Sequence, residues 1–386
     1  MSAFVVTRSD SDGSGAKSAK PNQGGNPLLH FKKSLATAAL AACMIGAPLG
    51  GALMAAEHEW KMATTITGGP LMELGAEAFA ERVSQMTEGR VEIEVFPAGT
   101  LGKALDVSTT VKRGVAEVGH TWMGYDWGKD KTTVLFGGFA GSMDSERMLH
   151  WLYDGGGKEL WTEFRQDRFG LVSFPLFMRP AEVFLHSKKP VSTLEDLQGL
   201  KMRTAGAWLE ISNELGASPV TMAGGEVYTS LERGTIDATE WGSLYENVSP
   251  GFYQIAKYVV VPGVHQPVAP YELVINDDAW AALSDHDKEM VQLAAELVTF
   301  ESWMRIGNED AKALEFYREN GNEIIVLEDE VKVAAKRLGM QWADRQAEGN
   351  EWFNRVLSSQ REFEGKWSEA DSYRKMALPP QDHSSN

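Results

Sequence analysis

Arg203 and the adjacent pair Glu240 and Trp241 are the residues whose types and placement best suit chemistry. Each stands where a short segment that reads as a β-strand runs out: Leu200-Lys-Met202 before the arginine, Thr235-Ile-Asp-Ala-Thr239 before the Glu-Trp pair. In open α/β sheets, ligands collect at strand ends near a topological switch point. A cation, a carboxylate and an aromatic ring converging there describe a cleft for a small anion. The second strand is marked further by Arg233-Gly234, which stops the helix preceding it.

The elements that must position these groups alternate in the βα manner. Trp60 to Thr65 reads as a strand. Pro70 opens a helix whose Leu71, Leu74, Ala78, Phe79, Val83 and Met86 recur at helical spacing before Gly89. Val91-Glu-Ile-Glu-Val-Phe96 alternates as a half-buried strand and stops at Pro97-Ala-Gly99, which completes a βαβ unit. A helix from Ala104 to Lys112, a stop at Arg113-Gly114 and a strand toward His120-Thr-Trp122 follow. The run from Val107 to His120 recurs in pattern from Val227 to Glu240: helix, Arg-Gly stop, strand, polar residue. This echo predicts two related lobes, with His120 to Trp122 and Glu240-Trp241 at equivalent strand ends across a cleft. Trp122, Tyr125 and Trp127 follow the first of these ends; each serves equally well as core. Trp208, Tyr245 with Asn247, and His265 with Gln266 are further wall candidates, with loop-stabilising hydrogen bonds as the alternative for the last two.

The later chain is mostly helical. Ser284-Asp-His-Asp287 resembles a capping box with Asp in place of Glu, and Met290, Leu293, Leu297, Phe300 and Met304 continue a stripe toward Gly321, long enough to brace both lobes. Ile324 to Leu327 reads as a strand. A final helical region from about Glu330 to Gln360 carries Trp342, Trp352 and Phe353, which suit packing or a partner helix. The expected organisation is a leader over 1–56, a first lobe over 57–181, a second over 182–274, segments returning across both over 275–328, and a C-terminal helical region and tail over 329–386.

Composition bounds the class. At 386 residues and 43% hydrophobic content the chain buries a sizeable core, and its net charge of -17 argues against nucleic acid as a partner. His30-Phe-Lys32-Lys33 followed by the apolar run Leu35 to Pro48, too short for a stable membrane span, reads as a secretory signal cut near Ala55-Ala56. The protein is therefore expected in the periplasm. The single cysteine, Cys43, could accept a lipid in Leu40-Ala-Ala-Cys43, but Met44 to Ala56 would make a poor flexible tether; a cut after Ala56 leaves no thiol at all. No Gly-x-Ser-x-Gly elbow, His-Glu-x-x-His helix or phosphate-binding Gly-x-x-x-x-Gly-Lys loop occurs, so the sequence reads as a binder and not an enzyme.

Gly199-Leu-Lys-Met-Arg203, Gly224-Gly225-Glu226, Arg233 to Trp241, Pro262-Gly263-Val-His265 and Phe96-Pro97-Ala98-Gly99 together resemble the solute-binding subunits of tripartite ATP-independent periplasmic (TRAP) transporters. The likeness is greatest to the branch that captures 2-oxo acids and lactate, and it covers nearly the whole chain after the leader. It implies a two-lobed α/β periplasmic solute-binding fold, a carboxylate buried by lobe closure, delivery to a membrane permease, and a homodimer through the C-terminal helices. A C4-dicarboxylate ligand and a periplasmic sensing role are the alternatives. Arg203 matches the family's carboxylate clamp, in keeping with the two parallel hydrogen bonds that a guanidinium offers a carboxylate. Glu240 and Trp241 inherit a metal-binding role, with a salt bridge from Glu240 to Arg203 as the rival reading. Counting back from Arg203 without gaps, the branch's metal-binding glutamine falls on Glu182. A carboxylate there favours Ca²⁺ over Na⁺, unless Glu182 pairs with Arg179 and no ion binds. Gln266 is a further expected ligand, Trp122, Tyr125, Trp208, Asn247 and His265 are expected at the substrate, and no organic cofactor is implied.

Overall fold

The computed structural model describes residues 56–374, so the expected leader with Cys43 and the tail from residue 375 lie outside the described part. Eleven strands make up two sheets. They are β1 (His58–Thr64), β2 (Val91–Phe96), β3 (Val118–Thr121), β4 (Val172–Arg179), β5 (Leu185–Ser187), β6 (Lys201–Arg203), β7 (Ser218–Val220), β8 (Ala238–Thr239), β9 (Tyr258–Val261), β10 (Ala269–Ile275) and β11 (Glu323–Val326). The first sheet has the order β2-β1-β3-β10-β4 and the second β11-β9-β5-β8-β6-β7.

The internal echo of the sequence is an echo of topology. β3 lies between a parallel neighbour, β1, and an antiparallel one, β10; β8 lies likewise between β6 and β5. Both strands follow a short helix that closes on a glycine in the left-handed region, Gly114 at φ 69° and Gly234 at φ 74°, where a side chain would be strained. One expected boundary is corrected. Residues 269–274 were assigned to the second lobe, but β10 is a central strand of the first sheet, paired with β3 and β4. Its seven residues are all buried, so no alternation in the sequence marks which sheet it joins.

The first helix starts with a π-helical turn, Met72–Glu77, and continues as Ala78–Met86. Gly75 lies in that turn against the His120 ring, where a Cβ would come within 2.6 Å of the imidazole. The helix Asp285–Glu319 is capped as expected: Ser284 Oγ accepts from the Asp287 amide at 3.0 Å and donates to its carboxylate at 2.7 Å. Its buried face differs from the expected stripe. Val291, Ala294, Ala295, Val298, Thr299, Ser302 and Ile306 face inward, whereas Leu293, Leu297 and Met304 are exposed. The helix packs directly on β4, with Ser302 Oγ accepting the Met178 amide at 3.0 Å, and that close approach selects small side chains over leucine and methionine. The C-terminal region is two helices, Asp329–Ala347 and Glu351–Arg374, separated at Gly349, whose φ is 78°. Trp342 and Phe353 are buried in the main apolar cluster. Among the described residues, no helix is long and apolar enough to cross a membrane.

Candidate ligand and metal site

The chain crosses between the sheets after β4 and again before β10. Glu182 lies on the first crossing and His265 on the second, and the Glu182 amide donates to the Gln266 carbonyl at 3.2 Å to hold the two crossings together. The second sheet supplies the rest. Arg203 ends β6 in register with Thr239 of β8, so Glu240 follows at the same level. Arg203 Nη1 donates to Glu240 Oε1 at 3.0 Å, while its Nε and Nη2 reach the Met222 carbonyl at 3.3 Å. Its guanidinium carbon stands 5.5 Å from the centre of the Trp241 ring, and the Tyr125 hydroxyl hydrogen-bonds it from the first lobe.

Glu182, Glu240 and His265 each present a ligand atom within 4.8 Å of the others, and all three side chains are buried. Glu182 divides its carboxylate: one oxygen accepts from Arg179 Nη1 and the other lies 3.1 Å from His265 Nε2. Arg179 in turn gives its Nε and Nη2 to Glu246, and Glu246 also accepts the Ser243 amide at 3.1 Å. Burial pushes the Glu182 carboxyl up, but Arg179, His265 and Arg203 outweigh it and hold it below its ordinary value. Glu240 ends above its ordinary value, because burial and the Glu182 charge exceed the help from Arg203. Both rivals of metal binding, Glu182 with Arg179 and Glu240 with Arg203, are thus formed.

The donor set nonetheless fits a cation. Two guanidinium groups, Arg179 and Arg203, face three buried carboxylates, Glu182, Glu240 and Glu246, which leaves one excess negative charge in an enclosed site. Such a charge is costly unless paired or coordinated to a metal. His265 Nδ1 and the Trp208 indole N–H are also buried without a hydrogen-bond partner. Carboxylate oxygens with one imidazole suit a hard cation.

Not every expected residue joins this group. Trp208 packs at 5.9 Å from the His265 ring, and Trp122 stands edge-on to Tyr125 at 5.2 Å, its indole donating to the Gly137 carbonyl at 2.8 Å. Gln266, expected as a metal ligand, donates its side-chain Nε2 to the same Gly137 carbonyl at 2.7 Å. Trp241 offers its main-chain oxygen to Arg179 at 3.5 Å and its ring to Arg203. Asn247, expected at the substrate, places its Nδ2 at 3.0 Å from His186 Nε2 and donates to the Gly242 carbonyl at 3.0 Å, while its Oδ1 is buried without a partner. Sequence reading named Arg179 only as a partner of Glu182 and missed Glu246 altogether. A glutamate within the otherwise apolar Leu244-Tyr245 and Val248 surroundings was the available signal.

The profile described as bacterial extracellular solute-binding protein, family 7 (DctP) matches residues 62–348. A monocarboxylate 2-oxoacid-binding periplasmic protein of Nostoc sp. is 29% identical over 308 residues, 79% of this chain and 83% of the relative. Among solved structures, a TRAP periplasmic solute-binding protein of Pseudoalteromonas atlantica with bound sodium and pyruvate is 27% identical, with a TM-score of 0.77, covering 82% of this chain and 96% of that one. One of Colwellia psychrerythraea with bound calcium and pyruvate is also 27% identical, with a TM-score of 0.75, covering 81% and 96%.

Proposed function

The chain belongs to the DctP family of bacterial extracellular solute-binding proteins that serve TRAP transporters, and from that premise we propose that it captures a 2-oxo monocarboxylate such as pyruvate, or lactate, together with a divalent cation. The observation that carries the reading is the group of Glu182, Glu240 and His265 within 4.8 Å of one another, with Arg203 paired to Glu240. Arg203 neutralises the ligand's carboxylate. Glu182, Glu240 and His265 would hold the cation, which supplies positive charge for the carboxylate and for a 2-oxo or 2-hydroxy oxygen. Trp122, Tyr125, Trp208 and Trp241 furnish walls with few exposed polar groups.

The count of charges supports the ligand class. One excess negative charge plus a monocarboxylate makes two, which Ca²⁺ neutralises and Na⁺ leaves half uncompensated. A C4-dicarboxylate would need a second cationic clamp, and Arg179, the other buried arginine here, is occupied by Glu182 and Glu246. Export by the leader, transfer to a membrane permease, and pairing of two copies through the C-terminal helices belong to the same proposal. The exposed Val333 and Met340 on helix Asp329–Ala347 support the pairing.

Calorimetric titration with pyruvate, longer 2-oxo acids, lactate and succinate, each with Ca²⁺, with Na⁺ and after chelation, tests the reading. Monocarboxylate binding near micromolar, about -8 kcal/mol, that collapses on chelation and returns with Ca²⁺ is expected. Equal binding after chelation would reject the cation, and preference for succinate would reject the ligand class.

A further inference from the structure

Glu246 is the third buried carboxylate of the site and the one that offers nothing to a ligand. One of its oxygens accepts from Arg179 Nε and from the Ser243 amide, the other from Arg179 Nη2, and only 3% of the residue is exposed. Its loop is fixed from behind, since the Tyr245 amide donates to Asp310 on helix Asp285–Glu319 at 2.8 Å. Arg179 is therefore shared between Glu246 and Glu182. The sharing has an electrostatic consequence. Without Glu246, Arg179 would cancel Glu182 and Arg203 would cancel Glu240, and among the described residues the one carboxylate left unmatched nearby would be that of Asp310, which accepts the Tyr245 amide behind the loop. With Glu246, Arg179 is already matched, and the charge of Glu182 is left for an ion.

We propose that Glu246, through Arg179, is the positioning residue that makes this site select a divalent over a monovalent cation. The inference rests on the cation-dependent reading given above and assigns a role to a residue that would not touch the ion. Partners that hold metal ligands from outside commonly govern metal affinity by 10- to 100-fold. A change in local charge acts on a divalent ion with twice the energy it exerts on a monovalent one at the same place. Loss of Glu246 should therefore cost Ca²⁺ about twice as many powers of ten in affinity as it costs Na⁺. A simple loosening of the loop would weaken both alike.

The test compares the full exported chain with Glu246→Gln and with the double variant Arg179→Met/Glu246→Gln, titrating each with CaCl₂ and with NaCl after chelation. Glu246→Gln is expected to lose 10- to 100-fold in Ca²⁺ affinity and to narrow the Ca²⁺ to Na⁺ ratio. The double variant removes one charge of each sign, restores the excess and should recover the ratio even where absolute affinity stays low. Thermal unfolding of the chelated proteins checks that each variant folds; if the single variant does not, the double variant carries the test by its ratio alone. Ca²⁺ affinity unchanged within twofold, equal losses for the two ions, or a double variant with the narrowed ratio would each overturn the inference. Failure of the unsubstituted protein to take up any cation would instead sink the functional reading on which it rests.

Discussion

Two buried clusters of charge each include a residue of β4, Ser173 in one and Arg179 in the other, and they are built to different rules. In the first lobe Arg165, fully buried on helix Gly157–Phe169, gives its Nε and Nη2 to Glu272 of β10 and places Nη1 2.8 Å from Asp126. Ser173 and Ser108 donate to those carboxylates, Lys129 reaches Asp126 at 2.9 Å, and Trp161 closes the set by donating to Ser173. Cations and buried carboxylates match there. Around Arg203 they do not match, and an imidazole nitrogen and an indole N–H are left unused. A closed, balanced cluster fixes elements to one another, whereas an open, unbalanced one holds affinity in reserve for something that arrives.

Substitutions can break that distinction. Arg165→Met strands two buried carboxylates and is expected to cost about 3–5 kcal/mol in urea unfolding, with ligand affinity of the folded fraction unchanged. Arg203→Ala is expected to reverse the pattern. Binding measured by calorimetry should fall about a hundredfold or more, from a loss of roughly 2–5 kcal/mol, while stability falls less than in the Arg165 variant. If Arg165→Met spares stability and weakens binding, the two clusters do not divide the work as described.

A pH-dependent effect concerns other buried titratable groups. His120, packed among Gly75, Phe177 and Tyr271, and His186 in the second lobe are each held down to about 3 by burial. Both stay neutral when folded and take up a proton more readily when unfolded. Their contribution is complete above about pH 6.5 and is lost as pH falls toward 3, by about 1.4 kcal/mol per unit for each. Asp310 carries the opposite sign. Burial pushes it up to about 6, so the folded chain binds the extra proton between about 4 and 6, and stability there falls as pH rises. His120→Leu should flatten the acid limb of a stability-against-pH curve by one histidine's share; an unchanged slope would show that His120 titrates normally.

Arg203 and Glu240 were legible because local signals place them, a strand end and an Arg-Gly helix stop, whereas Glu182 came only from the family resemblance, by a count back from Arg203. The echo of Val107 to His120 in Val227 to Glu240 was legible for the same reason, since each copy is one supersecondary unit. What escaped is long-range and non-periodic. Glu246 meets Arg179 from 67 positions away, and no spacing rule links them. The inward face of helix Asp285–Glu319 was misread because hydrophobic size pointed to leucine, while proximity to β4 demanded alanine and serine.

The position of β10 also dictates an order of assembly. Among the described residues it is the one neighbour of β4 in the first sheet and the second neighbour of β3, yet five strands of the second sheet, β5 to β9, come between it and β4. During synthesis the strand Val172–Arg179 has nothing to pair with in its own sheet until Ile275 is available. The strand that completes the first sheet thus arrives only after five strands of the second, β5 to β9, and its pairing with β4 joins distant parts of the chain, the kind of contact that forms slowly.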